Sequence, residues 1–320
     1  MKTNINLKVL QSVGVSCLAF SLLAGGFVFY AKTSQAEELR QPYQYEIVSK
    51  SQDPILEPSQ PGLLVATIKN IGLEAWPVDQ LRLSGIYMDG TAGRPSWFAT
   101  SAWMEQTSIA PSASTQQTTV RPRETVSFSI PLQAVKRPAL YQENFRLYLG
   151  TLALTGDTVG WLIQVGNQLS YQSMAGKQIQ IWLEDQHIWA IENNVVILDT
   201  LVSSGKSGYA TPKGIYKILN HIDTAYSSPY KLHMDNWMAL SSTTRGFRGY
   251  GMHALPYWTT RQTKIADGSI VNGRLYKPGK VYEDVYHLGK VMSHGCVRLG
   301  IKESKMLYDW APNGTPVVIG

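Results

Sequence analysis

The chain has 320 residues, enough for about two domains that each bury a core of their own. Hydrophobic residues make up 44% of it and charged residues 16%, a balance that excludes an intrinsically disordered chain. Two cysteines, Cys17 and Cys296, are too few for a small disulfide-stapled fold. The net charge of +6 comes without a run of Lys and Arg interleaved with aromatic residues, so we expect no nucleic-acid partner.

The first 36 residues have the features of an export segment. Lys2 and Lys8 precede an apolar stretch at residues 9–30, and Ser34-Gln-Ala36 is a small-x-small cleavage site. The apolar stretch is also long enough to span a bilayer. Residues 1–36 are therefore predicted to be either a cleaved signal peptide or an uncleaved membrane anchor through residues 9–30. Both interpretations place the rest of the chain in the cell envelope or at the extracellular face.

Residues 40–168 alternate between apolar and polar side chains, as short half-buried strands do. Val126, Phe128 and Ile130 alternate with polar residues, and so do residues 145, 147 and 149. About seven such strands, separated by proline and glycine, predict a β-sandwich.

This part also resembles a known class of module. The stretches Ile68-Lys-Asn-Ile-Gly-Leu-Glu-Ala-Trp76 and Arg123-Glu-Thr-Val-Ser-Phe128 are similar to immunoglobulin-like modules known as four-tryptophan domains. The resemblance implies an N-terminal immunoglobulin-like β-sandwich. Its tryptophan set would be Trp76, Trp97, Trp103 and Trp161. Such residues usually belong to a hydrophobic core, and we assign no partner to this domain.

A polar, glycine-containing segment at residues 169–177 is predicted to be the linker between two domains. After it, short strands are predicted at residues 178–183, 187–191 and 195–198. The one helix predicted lies at residues 303–311, where Pro312 and Gly314 end it, and a last strand follows at residues 315–319. The predicted fold class is therefore mainly β, with a short helix near the C-terminus.

Cys296 has a setting that favours chemistry. It follows Ser293, His294 and Gly295, a polar turn in which glycine allows successive backbone N–H groups to point at one position. Such a turn stabilises a thiolate and an oxyanion. A buried inert cysteine is the alternative interpretation. A thiol nucleophile also needs a base, and spacing alone does not choose among His187, His221, His233, His253, His287 and His294.

The segment around Cys296 resembles the L,D-transpeptidase family, cell-wall enzymes whose catalytic module is called the YkuD domain. The similar stretches are Ser293-His-Gly-Cys-Val-Arg-Leu299 and, upstream, Tyr250-Gly-Met-His-Ala-Leu-Pro256. Val202-Ser-Ser-Gly205 and Ala210-Thr-Pro-Lys-Gly214 agree as well. The resemblance covers about residues 178–320 and implies a β-rich catalytic domain there.

The resemblance also implies roles for single residues. Cys296 would be the nucleophile and His253 the proton donor and acceptor. His294 and Gly295 would shape the turn and the oxyanion site. Loop support or substrate binding would fall to Ser293, Arg298 and Tyr250, with a substrate carboxylate as the partner suited to the guanidinium group.

Two features depart from the family pattern. Ala254 follows the matched histidine where Gly or Ser is common, and 43 residues separate His253 from Cys296, more than in the compact form of the family. We predict that residues 257–286 are an inserted hairpin over the site. His287 is the alternative candidate for the base.

The function that the resemblance implies is acyl transfer on peptidoglycan stem peptides. Cys296 would attack the carbonyl that precedes the terminal D-alanine, form a thioacyl-enzyme and pass the acyl group to an amine in cell-wall cross-linking. An L,D-carboxypeptidase of the same mechanism and a non-catalytic wall-binding protein are the alternatives. We expect no cofactor, since a zinc site of His294, Cys296 and a further histidine would lack a CxxC or HExxH partner motif.

Overall fold

The structure, a computed structural model, describes residues 41–112, 117–242, 246–261 and 265–320. The predicted signal peptide or anchor at residues 1–36 lies outside the described residues. Arg40–Gly320 is one compact unit built mainly of β-strands, which confirms the predicted fold class. Across the described ranges, no helix combines the length and the apolarity that a membrane crossing requires.

The first part of this unit consists of strands of very different lengths. They are β1 (Tyr45–Lys50), β2 (Ile55–Leu56), β3 (Pro61–Asn70), β4 (Trp76–Pro77), β5 (Leu81–Gly85), β6 (Ser108–Ile109), β7 (Thr119–Val120), β8 (Thr125–Gln133), β9 (Ala139–Leu149), β10 (Leu152–Ala153) and β11 (Val159–Val165). They pair antiparallel except for the parallel pair β2–β11. A 3-10 turn at Val78–Gln80 precedes β5. The period-two alternation predicted both β8 and β9.

Two sheets bury their apolar faces in one cluster. β1, β3 and β8 form a three-stranded antiparallel sheet, and β9 pairs with both β5 and β11 in another. Phe128 from the first sheet and Phe145 from the second belong to the same hydrophobic cluster, together with Trp76, Trp103 and Trp161. This packing is what a sandwich requires, and the immunoglobulin-like identity of the domain stays a prediction.

The second part contains longer hairpins and the one α-helix of the described residues. Its strands are β12 (Lys177–Trp182), β13 (His187–Glu192), β14 (Val195–Ser203), β15 (Gly214–Ser227), β16 (Leu232–Ser242), β17 (Gly246–Ala254), β18 (Tyr257–Thr259), β19 (Ile270–Val271), β20 (Arg274–Lys277), β21 (Lys280–Asp284), β22 (Val297–Leu299) and β23 (Pro316–Ile319). A 3-10 turn occupies Val285–His287. Strand β14 extends beyond the predicted residues 195–198 because its last residues pair with β22, which lies far away in sequence.

Eight of these strands close into a ring in the order β12, β13, β14, β22, β17, β16, β15 and β23. The short strand β22 lies between β14, which is antiparallel to it, and β17, which is parallel to it. Residues that immediately precede β22 therefore meet the loops and strand ends of both neighbours.

Helix α1 (Ile301–Trp310) follows β22 directly. It begins two residues before the predicted start because Ile301 packs against a small cluster formed by Leu255, Tyr257 and Tyr282. Leu307 is fully buried and joins Met252 and Val297 in the core of the ring. The helix thus fixes the position of the strand that carries the residues after Cys296.

The two parts share buried contacts. Trp189, Ile191 and Val196 from β13 and β14 belong to the hydrophobic cluster of the first part. Tyr171, within the predicted linker at residues 169–177, packs edge-on against Trp189 with ring centroids 6.0 Å apart. The linker is therefore packed against the fold, and the division into domains at this segment stays a prediction.

Candidate active site

The pairing of β17 with β22 places His253 and Cys296 on one face of the sheet. The parallel register aligns Met252 with Val297 and His253 with Arg298, and Cys296 immediately precedes β22. Because side chains alternate along a strand, Met252 and Val297 point into the core, where both are fully buried. His253, Cys296 and Arg298 consequently share the opposite face. Two side chains that are far apart in sequence, and that are predicted to be base and nucleophile, thus lie on the same face of the sheet.

A hydrogen-bonded turn presents Cys296 at the start of β22. The Ser293 hydroxyl donates to the Cys296 carbonyl oxygen at 2.6 Å and accepts from the Gly295 N–H at 3.0 Å. Gly295 has a φ of +114°, a left-handed conformation that L side chains rarely adopt. A Cβ there would also lie 2.6 Å from the Tyr250 ring. Glycine is therefore required at position 295, and its N–H is engaged inside the turn.

The loop between β14 and β15 is hydrogen-bonded to this turn. Thr211 accepts a hydrogen bond from the Gly205 N–H and donates one to the Gly295 carbonyl oxygen, both at 2.9 Å. A Cβ on Gly205 would overlap the Tyr209 carbonyl oxygen. One buried hydroxyl therefore ties the two loops together at the residue before Cys296.

His253 is held in a single tautomer. Its Nδ1 lies 2.6 Å from the Ala254 carbonyl oxygen, which accepts only, so Nδ1 carries the proton and Nε2 has the free lone pair. The ring is 2% exposed and stacks on Trp237, with centroids 5.6 Å apart. Burial lowers the pKa of His253 to about 3, an effect that the nearby Arg298 strengthens and the bond to Ala254 opposes. The imidazole is therefore neutral at physiological pH, with the lone pair of Nε2 unprotonated.

The thiol of Cys296 is free and half-buried. Burial raises its pKa, whereas a backbone hydrogen bond with Gly251 and the positive charge of Arg298 act in the opposite direction. Burial disfavours the charged forms of both groups, so the Cys296 thiol and the His253 imidazole are both neutral at rest.

Arg298 has a protein partner in this structure. Its Nη1 lies 2.6 Å from Oε2 of Glu283 on β21 and makes a long contact of 3.5 Å with the Met292 carbonyl oxygen. The Arg298 side chain is 7% exposed. This geometry fits the predicted role in loop support, since Arg298 reaches back across the turn that contains Cys296.

His294 and Tyr250 flank the turn. The imidazole of His294 is half-buried between Tyr209 and Tyr230, at centroid distances of 4.7 Å and 4.6 Å. Burial, with the charges of Lys206 and Arg298, lowers the pKa of His294. Tyr250 packs against Gly295. All seven residues predicted for the site therefore lie in one region.

The other candidate histidines have different neighbours. His187 is 2.7 Å from Asp199, His221 is 2.7 Å from Asn313, and the ring of His233 stacks on Tyr257. His287 faces Glu283, with its Nδ1 3.6 Å from Oε2. Of the six histidines, His253 is the one that the strand register pairs with Arg298 and places on the same face of the sheet as Cys296. In the described part of the chain, no three His, Cys, Asp or Glu side chains are grouped to hold a metal ion.

Two residues of this site had no assigned role at the level of sequence. Thr211 lies in a stretch that contributed to the family resemblance, so the sequence already indicated that its position belongs to the catalytic domain. Glu283 lies in the segment predicted to be inserted, where the family pattern gives no guidance. That segment does form hairpins, β19–β20 and β20–β21, and the Asn272-Gly273 turn joins the first pair.

Residues 176–319 match the model of a family described as YkuD, L,D-transpeptidase catalytic domain. No curated protein matches the chain. The match and the predicted catalytic domain cover nearly the same residues.

Solved structures of L,D-transpeptidases share limited similarity with the chain. An L,D-transpeptidase from Stackebrandtia nassauensis is 26% identical over 47% of this chain and 58% of its own, with a TM-score of 0.32. This chain thus spans less than two thirds of that protein. One from Mycobacterium smegmatis is 13% identical over 86% of this chain and 99% of its own, with a TM-score of 0.33. One from Mycobacterium tuberculosis H37Rv is 14% identical over 88% and 99%, with a TM-score of 0.33.

Proposed function

Since residues 176–319 are an L,D-transpeptidase catalytic domain of the YkuD family, we propose that this protein is a peptidoglycan L,D-transpeptidase with Cys296 as its nucleophile. The observation that carries the proposal is the shared face of His253 and Cys296, with Nε2 of the imidazole free to accept a proton. A base and a thiol in this relation are the elements of covalent acyl transfer.

The proposed first half-reaction forms a thioester. The sulfur of Cys296 attacks the stem-peptide carbonyl that precedes the terminal D-alanine, and the thiol proton passes to Nε2 of His253. The tetrahedral oxyanion then collapses, the C–N bond breaks, and the imidazolium returns the proton to the departing amine. D-Alanine leaves and the acyl group remains on sulfur.

The second half-reaction transfers the acyl group and regenerates the free thiol of Cys296. A side-chain amine of another stem peptide attacks the thioester, His253 takes a proton from this amine, and the thiolate of Cys296 departs and is protonated. The product is a cross-link between two stems. Attack by water on the same thioester would give carboxypeptidase trimming instead.

Because both resting groups are neutral, the proton must move as the sulfur attacks. Burial holds the pKa of His253 near 3 and raises that of Cys296, so a preformed thiolate–imidazolium pair is disfavoured. We therefore assign His253 the role of general base during attack. Ser293, Gly295 and Arg298 are assigned to support the turn, and His294 and Tyr250 to line the approach to it.

The same proposal assigns a role to each segment of the chain. Residues 1–36 direct the chain out of the cytoplasm, as a cleaved signal or as an anchor at residues 9–30. Residues 40–168 form an immunoglobulin-like arm, residues 169–177 link it to the catalytic domain, and residues 178–320 act on the wall. This arrangement places the thiol at the cell envelope, where its substrate lies.

Muropeptide analysis after incubation with purified cell wall tests the proposal. We expect free D-alanine and cross-linked stems from the native chain, and a decrease of roughly 10³-fold or more with Cys296→Ala. Stems shortened without cross-links would identify the carboxypeptidase. D-Alanine release that survives Cys296→Ala, or wall binding without any release, would contradict the assignment.

A further inference from the structure

Arg298 brings a buried positive charge to the catalytic face. It shares this face with Cys296 and His253, and its positive charge lowers the pKa of both groups. A buried guanidinium without a partner would be costly. The residue that balances this charge therefore matters to the chemistry of the site as well as to its shape.

Glu283 is that partner. Its Oε2 lies 2.6 Å from Nη1 of Arg298, and the two side chains are 18% and 7% exposed. The backbone of Glu283 is fixed as well, because its N–H donates to the Pro256 carbonyl oxygen at 2.8 Å, only three residues after His253. The contact is thus a shielded ion pair between two well-anchored strands.

We propose that Glu283 is a positioning residue for the catalytic turn, holding Arg298 across that turn and balancing the positive charge that Arg298 places beside Cys296 and His253. A role of Glu283 in turnover rests on the proposed function. Its effect on the pKa of the Cys296 thiol does not depend on that function. The segment predicted to be inserted, residues 257–286, would then contribute a positioning residue to the site.

The other charged or titratable groups near this network lie on several elements. His287 on the 3-10 turn faces the same carboxylate oxygen, with its Nδ1 3.6 Å away. Burial lowers the pKa of Arg298, whereas charges on the Cys296 thiol and on Tyr230, in the loop between β15 and β16, act to raise it. Burial and the charge of Lys206 lower the pKa of His294 in the turn. Glu283 is the carboxylate within ion-pair distance of Arg298 among the residues described here.

Glu283→Gln separates the charge effect from a purely structural one. The substitution keeps the shape of the side chain and removes its charge, so Arg298 would act on the thiol without compensation. We expect the pH midpoint of Cys296 alkylation by iodoacetamide to fall, giving roughly three- to tenfold faster alkylation below the midpoint and an unchanged plateau at high pH. A faster rate at every pH would mean only a loosened turn and would overturn the proposal.

Two further variants complete the test. Asp267→Asn removes an exposed acid from the same inserted segment, and we expect its midpoint to equal that of the native chain. The double variant Glu283→Gln with Arg298→Gln leaves no unpaired charge, and we expect its midpoint to rise above the native value because the positive charge is gone. If Glu283→Gln does not fold, the double variant is compared with Arg298→Gln alone, and equal midpoints of these two variants would overturn the proposal.

An unchanged midpoint in a folded Glu283→Gln chain, or a midpoint of the double variant at or below the native value, would overturn the proposal. An equal shift in Asp267→Asn would do the same. Because alkylation needs no wall substrate, these outcomes are independent of the proposed reaction. A chain that alkylates as expected yet releases no D-alanine would support the role of Glu283 and refute the transpeptidase assignment.

Discussion

At the scale of single residues, the proposed chemistry depends on one buried imidazole. The Nδ1–H of His253 donates a hydrogen bond to the Ala254 carbonyl oxygen, so the neighbouring backbone selects the tautomer with Nε2 unprotonated. Stacking on Trp237 fixes the plane of the ring. The position that departs from the family pattern, Ala254, contributes only its carbonyl oxygen here, which explains why a different side chain is compatible with the same role.

The pH dependence of acyl transfer follows from the environment of His253. Burial lowers its pKa from the ordinary 6.5 to about 3, so the imidazole loses its ability to accept a proton only in strong acid. We expect the acid limb of kcat/KM to lie below pH 5, and His253→Gln to reduce the rate by roughly 10²- to 10⁴-fold. Rate measurements from pH 4 to 8, with circular dichroism to confirm folding, check this. An acid limb near pH 6.5 would show that the imidazole is exposed to solvent in the working enzyme.

At the scale of elements, the turn that contains Ser293 and Cys296 depends on the loop between β14 and β15. The hydroxyl of Thr211 satisfies the Gly205 N–H and the Gly295 carbonyl oxygen at once. Buried backbone groups without partners are costly, so this one side chain stabilises both segments.

Thr211→Val tests this brace. The variant keeps the shape of the side chain and removes both hydrogen bonds, and we expect it to lower the free energy of unfolding by about 1–3 kcal/mol and to slow acylation of Cys296. Thr211→Ser is the matched control, because it retains the hydroxyl. Denaturant unfolding and acylation rates check the pair. Equal behaviour of the two variants would mean that the hydroxyl does not hold the turn.

Local patterns in the sequence predicted much of the fold and of the site. Alternation predicted strands β8, β9 and β12, and the Ser-His-Gly-Cys string predicted a glycine-dependent turn at Cys296. The partner of Arg298 could not be predicted in this way. Glu283 reaches Arg298 because β21 pairs with β18 near the end of β17, a contact between distant segments that no local pattern encodes.

At the scale of the whole molecule, the two parts are joined by buried side chains. Trp189 on β13 packs in the hydrophobic cluster of the first part, between Tyr141 and Trp182. Trp97, predicted as one of a core set, instead is 38% exposed and donates from its indole N–H to the Asp199 carbonyl oxygen at 2.9 Å. This contact also joins the first part to the second.

Calorimetry tests whether the two parts unfold together. Because Trp189 belongs to a core shared by both, we expect a single cooperative transition for the chain that begins at residue 37. Trp189→Ala should lower the stability of that transition by about 3–5 kcal/mol. Two separate transitions, of which Trp189→Ala moves only one, would show that the parts fold independently.

In the proposed reaction, Cys296 carries the acyl group between two stem peptides. Intact-mass analysis during incubation with a tetrapeptide stem tests it most directly. We expect an adduct equal to the stem without its terminal D-alanine, located on Cys296, absent from Cys296→Ala and discharged when an amine acceptor is added. A folded native chain that acquires no adduct, or the same adduct on Cys296→Ala, would contradict it.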